Sequence, residues 1–208
     1  MFKESFLEAI KGLDLIDYAN QYDLYINLLM EWNQKLNLVG RQQSLERVYH
    51  LHLLDSLLAV PYLKDAFVIC DVGSGAGFPA LCWALSLPSK KFFLIEKSPK
   101  KCQFLTYAVK KLDLAERVTV LNKSVEEVKG ITPDLLTCRA LTSISDFLKI
   151  TMHLRCDKTK WLMLKALDET ISKEITDCNQ QEWMFQVIRL NHPTQDVTRN
   201  LVEITPKK

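Results

Sequence analysis

The stretch FVICDVGSGAGFPALCWAL, residues 67–85, places Gly73, Gly75 and Gly77 close together in a chain with only 6 glycines in 208 residues. Glycine takes positive φ without strain and lets backbone N–H groups approach a ligand with no side chain between them. The cluster follows a short apolar run ending at Val72 and precedes the apolar segment PALCWAL. A strand, a glycine loop and a helix in that order make the first crossover of an open parallel sheet. Ligands bind there, beyond the carboxyl ends of the strands.

The rest of the chain keeps this alternation. KFFLIE, RVTVLN, PDLLTCRA and KWLMLK read as strands, and PKKCQFLTYAVKKL, a segment running to about Leu154 and another over 168–177 read as helices. Short strands separated by helices imply βαβ units. WMFQVIRL and NLVEIT have no helix between them, which predicts an antiparallel hairpin at one sheet edge with Asn191 and Pro193 in its turn. Residues 1–60 read as helices: Leu24, Leu28, Met30, Trp32 and Leu36 recur at helical spacing, as do Leu51, Leu54, Leu57 and Leu58. Gly40 separates the two patterns and Pro61 closes the second. The expectation is an α/β, Rossmann-like unit with a mostly parallel seven-stranded sheet. An N-terminal helical segment (1–62) and a Rossmann-like domain (63–208) would form one compact body.

The glycine spacing narrows the ligand. A dinucleotide fingerprint is G-x-G-x-x-G, whereas here the third glycine comes one residue early and Asp71 precedes the cluster. A carboxylate at a strand end disfavours phosphates and favours an ammonium. D-x-G-x-G-x-G is the pattern used for S-adenosylmethionine, which carries an amino-acid ammonium and a sulfonium and no phosphate. A plain tight turn is the competing reading. The next strand ends in Glu96, where a carboxylate accepts hydrogen bonds from ribose hydroxyls; alternatively it is a charge at the N-terminus of the helix that EKSPKK opens. No G-K-[ST] follows, so a P-loop is excluded.

Missing motifs narrow the reaction. The D/N-P-P-[YF] turn of adenine-amine transfer is replaced after the fourth strand by TCRALTS, and Cys138 lacks the preceding proline of a pyrimidine carbon-5 nucleophile. Cys138 reads instead as a buried, inert thiol. A target atom with its own lone pair remains, such as guanine N7, which needs alignment and desolvation but no general base.

Composition sets limits on partners and setting. Hydrophobic residues make up 48% and the formal net charge is +2, enough for a sizeable core and too mild to identify a nucleic-acid partner alone. The lysines are uneven, however: KSPKKCQFLTYAVKK (97–111) holds five, including Lys100 and Lys101, and no acid. This run is either a solvated helix face or a phosphate-facing patch. The 6 cysteines show no metal-ligand spacing, the N-terminus does not read as a signal peptide, and no apolar run reaches the roughly 18 residues that span a bilayer. A reducing, cytoplasmic setting with no metal and no membrane follows as the expectation.

Several stretches, in order, resemble one family: EWNQKLNLV (31–39), HLLDSL (52–57), DVGSGAGFP (71–79), SVEEV (124–128), CRALTSI (138–144) and MLKA (163–166). The chain is similar over roughly residues 20–205 to the glucose-inhibited division protein B family, bacterial small-subunit ribosomal RNA methyltransferases acting on guanine N7. The resemblance implies a class I S-adenosylmethionine-dependent methyltransferase, acting as a monomer on the 530 loop of 16S ribosomal RNA or on the small subunit. It implies cofactor contacts at Asp71, Gly73, Gly75, Gly77, Phe78, Glu96, Val125, Glu126 and Arg139. Arg139 would face the methyl-transfer pocket in a catalytic role, although a buried salt bridge is its competing reading. Lys165 and Arg199 would be RNA-side cations, joined by Lys100 and Lys101. The chain departs from the family's usual residues at Leu51 and Ser124, where arginine is usual, at Ala166 for glycine, and at Asn200 for histidine. A methyltransferase with a protein or small-molecule acceptor, a cofactor-binding module without turnover, and a nicotinamide oxidoreductase are the rival readings.

Overall fold

The computed structural model describes residues 2–40, 43–166, 168–193 and 197–207. Five short runs form parallel strands: β1 (Val68–Val72), β2 (Lys91–Ile95), β3 (Val118–Leu121), β4 (Leu135–Arg139) and β5 (Lys160–Lys165). Most of their residues are β-branched or large and apolar, the types that fit a sheet covered on both faces. β6 (Trp183–Asn191) and β7 (Thr198–Pro206) close the chain, and the sheet order is β3-β2-β1-β4-β5-β7-β6. β7 runs antiparallel to both β5 and β6, so the expected hairpin is present and β6 is the outer strand. The turn is shorter than the sequence implied, because Asn191 is still in β6, paired with Thr198. Pro193 follows it, and 194–196 lie outside the described residues.

Helices cover both faces. α1 (Phe2–Lys11) and α2 (Ala19–Asn33) precede a continuous helical path. That path runs through α3 (Leu45–Val48), a π-helical stretch (Tyr49–Leu54) and α4 (Asp55–Leu57). Ser44 caps its start by accepting the Arg47 N–H. α5 (Ala80–Ser86), α6 (Pro99–Lys111), α7 (Ile144–Thr151) and α8 (Asp168–Thr176) link the strands. Pro99 opens α6 at a position where no backbone donor is lost.

Strand alternation divides the core in two. Ile69, Phe92 and Leu94 join α2, α5, α6 and the N-terminal helices in one apolar cluster. Cys70, Val72, Ile95, Leu136 and Cys138 pack with Phe147, Trp161, Trp183 and Val202 in the other. The buried stripe of α2 is Tyr22, Tyr25, Ile26 and Leu29, with Leu28 beside it. Leu24 falls on the exposed face instead. The sequence pattern slipped because it counted leucines and passed over the two tyrosines, whose hydroxyls find buried partners. Tyr22 Oη lies 2.6 Å from Ser86 Oγ, and Tyr25 donates to the Ala76 carbonyl at 2.7 Å.

Candidate active site

The three glycines all have positive φ, +74° at Gly73, +56° at Gly75 and +96° at Gly77, but they serve different ends. A Cβ on Gly77 would stand 2.5 Å from Leu81 Cδ1 and 3.1 Å from the Tyr25 hydroxyl, so this glycine is required by packing beneath the loop. A Cβ on Gly75 would meet nothing nearer than the Gly73 carbonyl at 3.7 Å. Gly75 therefore faces open space, as a close approach to a ligand demands. Gly73 lies under Leu141, whose Cδ1 would be 2.8 Å from an added Cβ.

Two carboxylates frame this loop. Glu96, buried just beyond β2, accepts the Gly75 N–H on Oε2 at 2.9 Å and the Ser98 N–H on Oε1 at 2.8 Å. Glu96 thus receives a backbone donor at the start of α6, as its helix-end reading expects, and in addition holds the glycine loop. Asp71 is fully buried, and neither of its carboxylate oxygens has a hydrogen-bond partner. Ser74 donates to the Asp71 main-chain oxygen. Burial, with the charge of Glu96 adding to it, pushes the Asp71 carboxyl up to about 7. An orphaned buried carboxylate beside an open glycine loop suits a ligand that brings its own cation.

A cavity of about 390 Å³ opens at the carboxyl ends of β1, β2 and β3, lined by Gly73, Lys97, Ser124, Val125, Glu126 and Leu141 among others. The structure thus brings Gly73, Val125 and Glu126 to one space. Ser124 has a local reason to be serine: it forms a capping box with Glu127 and so fixes the turn that carries Val125 and Glu126.

A second cavity, of about 270 Å³, lies at the ends of β4, β5 and β7 and includes Asp55, Arg139, Lys165, Arg199 and Asn200 in its lining. Sheet register assembles it. Arg139 pairs with Leu164, the next residue Lys165 pairs with Asn200, and Arg199 precedes Asn200 on β7. Ala140 follows with φ +52°, an uncommon conformation for a residue with a Cβ. The segment 139–142 runs between the two cavities, and Lys165 Nζ donates to the Thr142 carbonyl at 3.0 Å.

The cations of this cavity are held. Arg139 Nη2 donates to the Leu51 carbonyl at 2.7 Å and to His52 Nδ1 at 3.0 Å, and Nη1 donates to the His52 carbonyl at 3.2 Å. The π-helical stretch supplies those carbonyls, so leucine at position 51 leaves the contact to Arg139 in place. Asp55 Oδ2 accepts Arg199 Nε at 2.6 Å and lies 3.9 Å from Arg139 Nη2. Lys165 pairs with Glu174 at 2.8 Å. Asn200, buried, donates to the Ala166 carbonyl at 3.2 Å and to Asp168 at 2.6 Å.

His52 joins the two sides of the site. Arginine has no acceptor, so His52 Nδ1 accepts from Arg139 and Nε2–H donates to Gln43 Oε1 at 2.6 Å. Burial, with the charges of Arg139, Arg199 and Arg47, pushes its pKa down to about 4. Its ring stacks on Phe78 with centroids 5.3 Å apart, and the Arg139 guanidinium lies 5.8 Å from the Phe78 ring. Asp55 and His52 are the residues sequence reasoning did not single out, although both stand in the HLLDSL segment. Cys138 is buried and its thiol pushed upward by burial, so it offers no nucleophile. Lys100, exposed, and Lys101, half-buried, stand on α6 and line neither cavity. Among the described residues no cluster of three or more His, Cys, Asp or Glu could hold a metal ion, and no helix is long and apolar enough to cross a membrane.

Comparison with known proteins agrees with this geometry. The chain is 35% identical over 185 residues to the ribosomal RNA small subunit methyltransferase G of Dichelobacter nodosus, covering 88% of this chain and 84% of the relative. It is 36% identical over 199 residues to the protein of the same name from Coxiella burnetii, covering 95% and 94%. Among solved structures, a mitomycin 7-O-methyltransferase superposes with a TM-score of 0.63 at 13% identity, over 88% of this chain and 60% of the other, which establishes the shared fold. The family model for GidB, rRNA small subunit methyltransferase G, matches residues 18–202, and the chain belongs to that family of S-adenosylmethionine-dependent enzymes.

Proposed function

We propose that the chain transfers a methyl group to N7 of a guanine in the 530 loop of 16S ribosomal RNA, acting as a single chain in the cytoplasm on the RNA or the small subunit. When bound, S-adenosylmethionine supplies an electrophilic methyl. Asp71, Gly73, Gly75 and Phe78 form one wall of its site over the turn that Gly77 packs, and Asp71 offers the buried carboxylate for its ammonium. Glu96 has acceptor capacity left for ribose hydroxyls beyond the Gly75 and Ser98 N–H groups, since each carboxylate oxygen takes two donors. Val125 and Glu126 border the space assigned to the adenine. Arg139, Lys165 and Arg199 surround the acceptor cavity and attract RNA phosphate or the guanine O6, leaving the N7 lone pair free for the methyl.

The observation that carries this reading is the state of the acceptor cavity. Among the described residues lining it, the one carboxylate, Asp55, is held by Arg199, and neighbouring His52 is kept neutral with both ring nitrogens engaged. Asp55 also faces His192 Nε2 at 3.6 Å through Oδ1, so among the described residues the groups that could accept a proton here are turned toward one another. Guanine N7 carries none, so catalysis reduces to alignment of the acceptor with the methyl and exclusion of water. The test is single-turnover methylation of small ribosomal subunits at saturating cofactor across pH 6–8. The expected rate is flat; a steep, base-like rise would mean a protonated acceptor, such as a protein amine or a small-molecule hydroxyl.

A further inference from the structure

The lysine-rich, acid-free helix α6 forms one wall of a groove that the methyl-transfer site does not use. Its volume is about 580 Å³, and it is lined by Trp32 from α2, by Gln103, Thr106, Tyr107 and Lys110 from α6, and by Asn122 after β3. No carboxylate is among the lining residues. The aromatic rings are built as a platform. Trp32 and Tyr107 have centroids 5.3 Å apart at 40°, and Trp32 rests on the fully buried Phe104 at 5.8 Å. Lys111 Nζ lies 5.6 Å from the Tyr107 ring centroid. Trp32 and Tyr107 are each half-buried, while Gln103, Thr106, Lys110 and Asn122 are exposed.

We propose that this groove binds an unpaired stretch of RNA, stacking a base on Trp32 and Tyr107 and meeting the adjoining phosphates with Lys110 and Lys111. Aromatic faces flanked by lysines and free of acid are the chemistry single strands recognise, because every base has a π-face and every linkage a negative charge. Gln103 and Thr106 add hydrogen-bonding groups at the base edges. The groove is also tied to the cofactor side. Asn122 Nδ2 donates to the carbonyls of Glu96, at 3.1 Å, and of Lys97, at 3.2 Å. Lys97 and Lys123, which follow Glu96 and Asn122, line the cofactor cavity. A strand held here would approach the active site along a lysine-marked path. The inference rests on ribosomal RNA being the substrate.

The other three tryptophans, Trp83, Trp161 and Trp183, are buried, so quenching of tryptophan fluorescence by a stacked base reports on Trp32. The experiment titrates single-stranded oligoribonucleotides of about eight residues into the full chain at low salt, and separately measures methylation of small subunits. Expected are saturable quenching in the wild type, its loss in Trp32→Phe, and a KM for subunits raised at least fivefold in Lys110→Glu and Tyr107→Ala with S-adenosylmethionine affinity unchanged. Lys110 is exposed, so its variant keeps the test valid should an aromatic variant misfold. No quenching and an unchanged KM, with an active wild type, overturn the groove and leave the function standing. A raised KM without quenching also overturns the RNA assignment and makes the groove a contact for ribosomal protein. A wild type inactive on subunits would sink the proposed function, while the fluorescence arm still decides the groove.

Discussion

Glu96 and Gly75 are joined by a hydrogen bond of 2.9 Å, from the loop N–H to a buried carboxylate. The same side chain receives the Ser98 N–H, so it sets the shape of the loop before any ligand binds. Glu96→Ala removes charge-assisted bonds worth about 1.5–3 kcal/mol each, and cofactor affinity should fall by at least roughly tenfold. Glu96→Gln keeps one acceptor oxygen and should fall less. Calorimetric titration of the three proteins checks this; equal affinities would reduce Glu96 to a charge at the start of α6.

Asp71 makes stability depend on pH. Its folded-state value of about 7 lies above its ordinary 3.8, so the folded chain holds that proton more tightly than the unfolded chain. Its contribution to stability therefore falls as pH rises from roughly 4 to 7, by up to about 1.4 kcal/mol per pH unit. Asp71→Asn removes this slope. In urea unfolding without cofactor, the variant should gain on the wild type from pH 5 to 7 while binding S-adenosylmethionine more weakly. Parallel stability curves would show that Asp71 titrates normally.

The glycines separate binding from packing. Gly75→Ala places its Cβ in open space, with only the strain of φ +56° to set against the fold, and should abolish cofactor binding in a folded protein. Gly77→Ala drives a Cβ against Leu81 at +96° and should cost roughly 1–3 kcal/mol of stability. Thermal unfolding and titration of both variants decide it; two variants with the same defect would contradict the division.

The first crossover was legible in the sequence because three glycines behind a strand-ending aspartate have few other uses. The strand and helix order was legible because apolar runs of strand length alternate with amphipathic ones. The partners of the cations were not. Arg139 read as a residue of the methyl-transfer pocket or a buried salt bridge, and Lys165 and Arg199 as RNA-side cations, but their partners were hidden: Arg139 donates to backbone carbonyls, Lys165 to Glu174 and Arg199 to Asp55. Those contacts join residues 88, 9 and 144 positions apart. The two distant ones depend on how the helical path through Leu51 and Asp55 seats against the sheet, which no local pattern encodes. The tyrosines of α2 were missed for a related reason: their burial depends on hydroxyl partners supplied by α5 and the glycine loop.

Asp55 is the hub of the acceptor side. Its pair with Arg199 at 2.6 Å should contribute about 1.5–3 kcal/mol. A double-mutant cycle of Asp55→Ala and Arg199→Ala, read by denaturant unfolding, should give a coupling above about 1 kcal/mol. Additive effects would mean that the pair holds nothing together.

The most direct test of the central claim is mass mapping of methylated nucleotides in small-subunit RNA after incubation with the purified chain and S-adenosylmethionine. The subunits should come from cells lacking the activity. The account predicts one new 7-methylguanine, in the 530 loop of 16S RNA. Label on ribosomal protein, on another base atom, or nowhere in the RNA would contradict it.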